Sequence, residues 1–348
     1  MTEKEKSLQT VLDKRVDSKK VFGISFAVKK DSLVWHGTSG NLSKAQPYFI
    51  ASTTKLFTTA IILKLKAESI LKLDDKISNY IDKAILSGLH VYKEKEYSKE
   101  LTIKHLLAHT SGLPDYFQAK GANGKSLEDE LINGNDQFWT FQQAIERAKK
   151  MSPLFAPGSK NKANYSDTNF QLLGEIIEIL TNKSYSENCK DLIINPLALT
   201  NTYLYQDPTD NTPKTLYYKN EELSIPKAMT SFRADGGIVS TSEDMLIFIE
   251  AFFTGKLFPS SFIDELKKWN RIFFPMRSGI GLHLFKLPWI FNPTAAVPDF
   301  IGHSGLSGSL AYYSPKENIY IAGTVNQVAH PDISFNTMIK LTQILRKK

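Results

Sequence analysis

A single cysteine, Cys189, stands in a chain of 348 residues. That excludes an internal disulfide and any cysteine-rich metal site, and it leaves the redox compartment open. Long apolar runs are missing as well. The longest, MLIFIEAFF at 245–253, falls short of the ~20 residues a membrane-spanning helix needs and is broken by Glu250. The opening MTEKEKSLQTVLDKR spaces Leu8, Val11, Leu12 and Val16 at helical intervals and has no uninterrupted apolar core of a secretory signal. As written, the chain reads as soluble and cytoplasmic. An exported chain with its leader removed would begin the same way, so the compartment stays unassigned.

There is no acidic excess and no basic stripe. The net charge is +7, but the cations are scattered in small KK and KEK clusters, so nucleic acid is not an expected partner. The excess speaks to solubility and to non-specific attraction of anions. Internal repeats and low-complexity tracts are absent too. What remains, 42% apolar and 23% charged residues, is enough for one large or two interlocked globular units.

The segment FGISFAVKKDSLVWHG alternates apolar and small residues on both sides of Lys30-Asp31-Ser32 and predicts a hairpin. SLAYYSPKENIYIAGTVNQ predicts a second hairpin near the other end, followed by an amphipathic helix from about Ile333 to Leu345. The simplest assembly is one antiparallel sheet joining the two ends of the chain. The expected fold class is therefore α/β (α+β): a sheet part of about 1–50 and 236–348, flanked by helices, and a mostly helical insertion of about 51–235, all in one catalytic domain of 1–348. Within the insertion, helices are expected at Ser52–Leu65, Thr102–Ala108, Phe138–Lys150 and Thr168–Leu180, and another over Thr241–Phe253 ending at Gly255. Ser111–Asp136 and Gln206–Ala234 lack periodicity, and loops that long are often walls or lids of a site.

Ser-x-x-Lys occurs at Ser52/Lys55, Ser69/Lys72, Ser159/Lys162 and Ser224/Lys227, so spacing alone selects nothing. Only Ser52 opens a helix, where free N–H groups and the positive dipole end favour developing negative charge, with Lys55 one turn along the same face. The helix LFTTAIILKL is apolar all round and hence buried, and desolvation of a lysine there favours the neutral amine a general base needs. The competing reading makes Ser52 an N-cap and lets Lys55 reach solvent. In ANYSDTNFQLLGEIIEIL, Tyr165 sits in a loop before a helix, where it could relay a proton if a cation lowered its pKa, while Asp167 has the position of an N-cap. In FIGHSGLSGSLAYYS, His303 precedes a strand expected along a sheet edge, with Gly305 letting a ligand approach the backbone. A lone histidine is more often structural than catalytic. Three rival motifs fail. KGANGKS has Ala119 where a P-loop needs its first glycine, GHSGL lacks the last glycine of a hydrolase elbow, and His105/His109 lack a metalloprotease glutamate.

Ser52-Thr-Thr-Lys55, Tyr165-Ser-Asp167 and His303-Ser-Gly305, in that order, resemble the serine penicillin-recognising enzymes: class C β-lactamases, DD-carboxypeptidases and related esterases and D-amino-acid peptidases. The likeness runs from about Phe22 to the C-terminal helix and takes in LLAHTSGLPDY, APGSKNKANYSDTNFQLLG, NPLALTNTYL and ADGGIVSTSEDM.

The resemblance implies acyl transfer through a covalent serine ester, with no metal and no organic cofactor. Ser52 would be the nucleophile, with Lys55 and Tyr165 moving its proton. His303 would hydrogen-bond Tyr165 or steer a substrate carboxylate, and Asp167, Ser304, Gly305 and Leu306 would contact substrate. The oxyanion would lie between the N–H groups of Ser52 and Leu306. Asp167 replaces the usual asparagine of the family. A carboxylate near Lys55 favours the ammonium and weakens the base unless Tyr165 takes that duty, which argues against efficient β-lactam turnover. The expected partner is a small-molecule or peptide substrate: a D-Ala peptide, an ester or a β-lactam. The alternative function is a penicillin-binding sensor that acylates without turnover.

Overall fold

Along Gly23–Lys30 (β1), Ile24, Phe26 and Val28 alternate with Ser25 and Ala27, and every one of them is buried. A strand buried on both faces needs a layer on each side, and the computed structural model, which describes residues 1–122, 124–293 and 297–347, supplies both. Ile24, Phe26 and Val28 pack with Leu8 and Leu12 of helix α1 (Glu3–Asp13) and with Met338 and Leu341 of the C-terminal helix Asp332–Arg346. On the opposite face Ala27 joins the main core, and the Ser25 hydroxyl meets that of Ser242 at 2.8 Å.

β1 pairs antiparallel with β2 (Leu33–Gly40) on one side and with a strand at Ile319–Thr324 on the other, from Ser25↔Thr324 to Lys30↔Ile319. The two terminal hairpins thus share one antiparallel sheet. Among the described residues the sheet has eight strands, because three short ones extend it: β3 (Asn270–Arg271), β4 (Met276–Ser278) and β5 (His283–Phe285). Then come β6 (Phe300–Ser304), β7 (Ser309–Ser314) and β8 (Ile319–Thr324), in the order β3-β4-β5-β6-β7-β8-β1-β2. The His303 strand, β6, therefore lies inside the sheet between β5 and β7, not along its edge. Strands of two and three residues show no alternation, so the sequence does not reveal them.

The middle of the chain is mostly helical. The helix opened by the Ser52 segment is α2 (Lys55–Ala67), preceded by a 3-10 turn at Ala51–Thr54, and the one after Tyr165 is α3 (Asp167–Thr181). α4 (Ser242–Thr254), capped by the Thr241 hydroxyl and ended by Gly255 in the left-handed region, covers the inner face of β1, β7 and β8. α5 is the C-terminal Asp332–Arg346 helix. The two aperiodic stretches carry a short helix at Leu127–Ile132, a hairpin of Leu216–Tyr218 with Glu221–Leu223, and a turn of helix at Pro226–Met229. Both stretches line the cleft between the sheet and the helical part.

Candidate active site

The residue before the serine has an unusual backbone. Ala51 takes φ +45°, which costs a residue with a Cβ about 1–2 kcal/mol. Neighbours hold it there: Ile50 N–H donates to Ile238 O at 3.0 Å, and Ser309 Oγ on β7 donates to Ile50 O at 2.5 Å. Gly305 fits against the same place, since a Cβ on it would lie 2.4 Å from Ile50 O and 3.0 Å from Ala51 Cβ. Its missing side chain makes room for the serine segment rather than for a ligand. The result presents Ser52 on the 3-10 turn, facing the cleft, and its side chain caps no backbone N–H.

Ser52 Oγ accepts two hydrogen bonds, from Tyr165 Oη at 2.7 Å and Lys55 Nζ at 3.1 Å. Lys55 is wholly buried and does not reach solvent. Its other protons face Asp235 O at 2.6 Å and Asp167 Oδ1 at 2.6 Å. The Asp167 oxygen lies off the hydrogen-bond direction, so that contact is ionic in character. The rings of Tyr165 and Phe170 lie 5.1 and 5.3 Å from Nζ and add cation–π attraction. Asp167 is the first residue of α3, and its side chain turns to the lysine instead of capping the helix.

Two more carboxyls stand behind this pair. Asp235 Oδ2 accepts from Tyr116 Oη at 2.9 Å and Gln171 Nε2 at 3.1 Å, and Asp115 Oδ1 accepts from Phe117 N–H at 2.9 Å. Burial, and then the charge of Asp167, push both well above the usual carboxylate range. Both environments thus disfavour the ionised form of these two acids. Burial first and the Asp167 charge second also push the Tyr165 phenol well above its ordinary value. The sequence expectation of a cation-lowered tyrosine is therefore reversed: desolvation and a nearby anion outweigh the lysine.

His303 is buried on β6, and its Nδ1 lies 2.8 Å from the carbonyl of Ser304. A carbonyl only accepts, so Nδ1 carries the proton and Nε2 presents a lone pair. No hydrogen bond joins His303 to Tyr165 among the described residues; the ring centroids are 6.3 Å apart. Burial, and then His283 and Lys55, push His303 well below the usual histidine range, so it is neutral and cannot steer a carboxylate by charge. Its ring stacks on His283 at 4.1 Å, and His109 completes a buried group whose ligand atoms lie within 4.8 Å of one another. The three do not fit a metal well. His109 Nδ1 accepts from the Ser166 N–H at 3.2 Å, which leaves the proton on Nε2. The near-parallel rings of His283 and His303 also do not aim their lone pairs at one point. His105 remains in the capping box of its own helix, away from His109.

Ser304, Gly305 and Leu306 line the same cleft of about 280 Å³ as Ser52, Tyr165, Asp167 and His303. No hydrogen bond engages the Leu306 N–H among the described residues, which leaves it available to an oxyanion. The rest of the lining is chiefly apolar, with Phe49, Phe117, Leu131, Ile225, Phe232 and Phe273 prominent, and among the described residues no Lys or Arg lines it. Sequence reasoning did not single out Asp115, Tyr116, Asp235 or His283, and it weighed His109 only as a metal ligand beside His105. Asp115, Tyr116, His109 and Asp235 lie within the quoted LLAHTSGLPDY and ADGGIVSTSEDM segments, whereas nothing in GIGLHLF marks His283.

The Beta-lactamase family model matches residues 8–339. Penicillin-binding protein 4* of Bacillus subtilis is 24% identical over 335 residues, covering 87% of this chain and 66% of that protein, so the chain spans about two thirds of its relative's length. A D-stereospecific amidohydrolase from Streptomyces sp. has a similar structure, with a TM-score of 0.76, 27% identity, and coverage of 93% of this chain and 95% of that one. D-amino acid amidase from Ochrobactrum anthropi SV3, complexed with L-phenylalanine amide, reaches a TM-score of 0.81 at 20% identity and covers 99% of each chain; at that identity it speaks to the fold. A family match over nearly the whole chain, joined to a sheet and helical insertion of this architecture, shows that the protein belongs to the Beta-lactamase family.

Proposed function

We propose that Ser52 is the nucleophile of an acyl-transfer hydrolase acting on small esters or amides with an apolar acyl group. The observation that carries the reading is the Ser52 hydroxyl held between Lys55 Nζ and Tyr165 Oη. Lys55, entering as the free amine, takes the proton on Ser52 while Oγ bonds to the substrate carbonyl carbon. The oxyanion is received by the N–H groups of Ser52 and Leu306. As the carbonyl–heteroatom bond breaks, Tyr165 protonates the leaving oxygen or nitrogen and regains the proton that Lys55 took. Water then hydrolyses the ester. No cofactor enters these steps.

The wall chemistry bears on substrate choice. A carboxypeptidase must bind a terminal carboxylate, yet this cleft offers apolar rings, neutral imidazoles and the acids Glu128, Asp167 and Asp235. That supports an esterase-like or amidase-like activity over a DD-carboxypeptidase, with β-lactam turnover weak. Assaying a short-chain nitrophenyl ester, a D-Ala-D-Ala peptide and a cephalosporin side by side tests this, with Ser52→Ala as control. Turnover of the peptide above the ester would reject the ranking.

A second reading has its own support. In the resting arrangement Lys55 and Tyr165 both donate to Ser52, so no unprotonated base stands ready for the deacylating water. On that reading the protein acylates once and holds the adduct. A single stoichiometric burst from the ester would favour it, and continuing release would exclude it.

A further inference from the structure

We propose that the aromatic edge of the sheet beside the cleft is an interfacial anchor that seats the protein on anionic lipid bilayers. The β3–β4 hairpin ends in Phe273-Phe274-Pro275, and the 3-10 turn Trp289–Phe291 lies next to it. Phe273, Phe274, Trp289, Ile290 and Phe291 are between 50 and 77% exposed. The rings of Phe274 and Phe291 meet edge to face at 5.9 Å, so the two segments form one surface. Scattered exposed apolar residues are ordinary, but five large ones gathered in one place mark an interaction site.

Charge selects the partner. Arg271 and Arg277 are direct cross-strand partners on this hairpin, and both are exposed. Like charges placed directly opposite destabilise a strand pair, and neither arginine has an acidic partner among the described residues. Lys268 is also exposed and unpaired there, while Lys267 and Lys286 are matched by Asp264 and Asp299. Between positions 267 and 299 the sequence holds five Lys or Arg and a single acid, Asp299. A second copy of the chain docked by this face would bring its own arginine pair toward this one, so self-association lacks complementarity. A bilayer with anionic headgroups accepts the arginines at its surface and takes Trp, Phe and Ile just below. The seating would also place the cleft at the lipid surface, because Phe273 reaches from the hairpin tip into the wall, 6.3 Å from the Tyr165 ring. The inference does not depend on the proposed hydrolase activity, since it is read from lipid binding and not from turnover.

The test is co-sedimentation of the full chain with phosphatidylglycerol and phosphatidylcholine vesicles at low and physiological salt. Binding is expected to phosphatidylglycerol and not to phosphatidylcholine. Trp289→Ser with Phe291→Ser should weaken it at least ~10-fold by loss of buried apolar area. Arg271→Gln with Arg277→Gln should weaken it ~30-fold and flatten the salt dependence, at about a fivefold effect per cation. These positions are exposed, so unchanged thermal unfolding confirms that each variant is folded. Absence of binding to phosphatidylglycerol, equal binding to both lipids, or binding that neither double variant weakens would overturn the proposal. So would a concentration-dependent dimer in sedimentation velocity that vanishes in the Trp289/Phe291 variant, which would assign the patch to a second copy.

Discussion

Asp167→Asn is nearly isosteric, so its effects isolate one charge. The Lys55 ammonium, 0% exposed, would keep Asp235 O and Ser52 Oγ but lose its counter-ion at 2.6 Å. Removing one partner of a buried ion pair costs about 3–5 kcal/mol, and the amide oxygen that remains places this case near 3. At ~2.1 cal/mol/K of unfolding entropy per residue, a chain of 348 residues should lose about 4 °C in midpoint. Calorimetry at neutral pH measures that directly. Adding Lys55→Met should recover part of it, because the uncompensated charge is then gone. The kinetic counterpart runs the other way. Without the carboxylate the amine form of Lys55 is favoured, so acylation by a cephalosporin, followed by stopped flow, should quicken. An unshifted midpoint together with an unchanged or slower acylation rate would refute the view of Asp167 as the charge that governs Lys55.

Tyr165→Phe removes the 2.7 Å donor to Ser52 and should lower kcat about 10²- to 10⁴-fold for an ester substrate, with the fold intact by circular dichroism. Gly305→Ala drives a methyl to 2.4 Å from Ile50 O and should cost about 1–3 kcal/mol in denaturant titration. By moving the Ser52 segment ~1 Å it should also slow acylation ~10²-fold. His283 is buried and pushed down to about 3, first by desolvation and then by Lys55, so below its unfolded value the unfolded chain binds the extra proton. Stability therefore falls as pH drops from about 6.5 toward 3, by about 1.4 kcal/mol per unit for this residue. His283→Phe should flatten that acid limb in urea titrations between pH 6.5 and 4.5; a limb of unchanged slope would show that His283 is not buried as the neutral form.

Ser52 and Lys55 stood out as a one-turn pair at a helix start, whereas Tyr165 and Asp167 were joined to them only by the family resemblance; the structure brings the four side chains together. The two terminal hairpins were legible as well, since strands of six and eight residues show alternation on either side of a turn. The strands of two and three residues from 270 to 285 show none, and missing them put His303 on an edge it does not occupy. His109 and Asp115 of one segment, Asp235 of a second and His283 of a third come from distant parts of the chain, so only tertiary packing makes them neighbours. The direction of the Tyr165 shift was illegible for the same reason. Proximity to Lys55 could be guessed, but the degree of burial and the number of acids behind the lysine could not.

The ladder between β1 and β8 has a consequence for biosynthesis. Ser25 finds Thr324 roughly 300 residues later in the chain, and at 5–20 residues per second a ribosome takes roughly 15–60 s to deliver the partner. During that wait the first hairpin emerges with Ile24, Phe26 and Val28 uncovered and with one flank of its backbone unmatched. Such a flank is sticky toward neighbouring nascent chains. Slower initiation, lower growth temperature or a holdase at the exit tunnel should therefore raise the yield of native enzyme more than any change to its helical half.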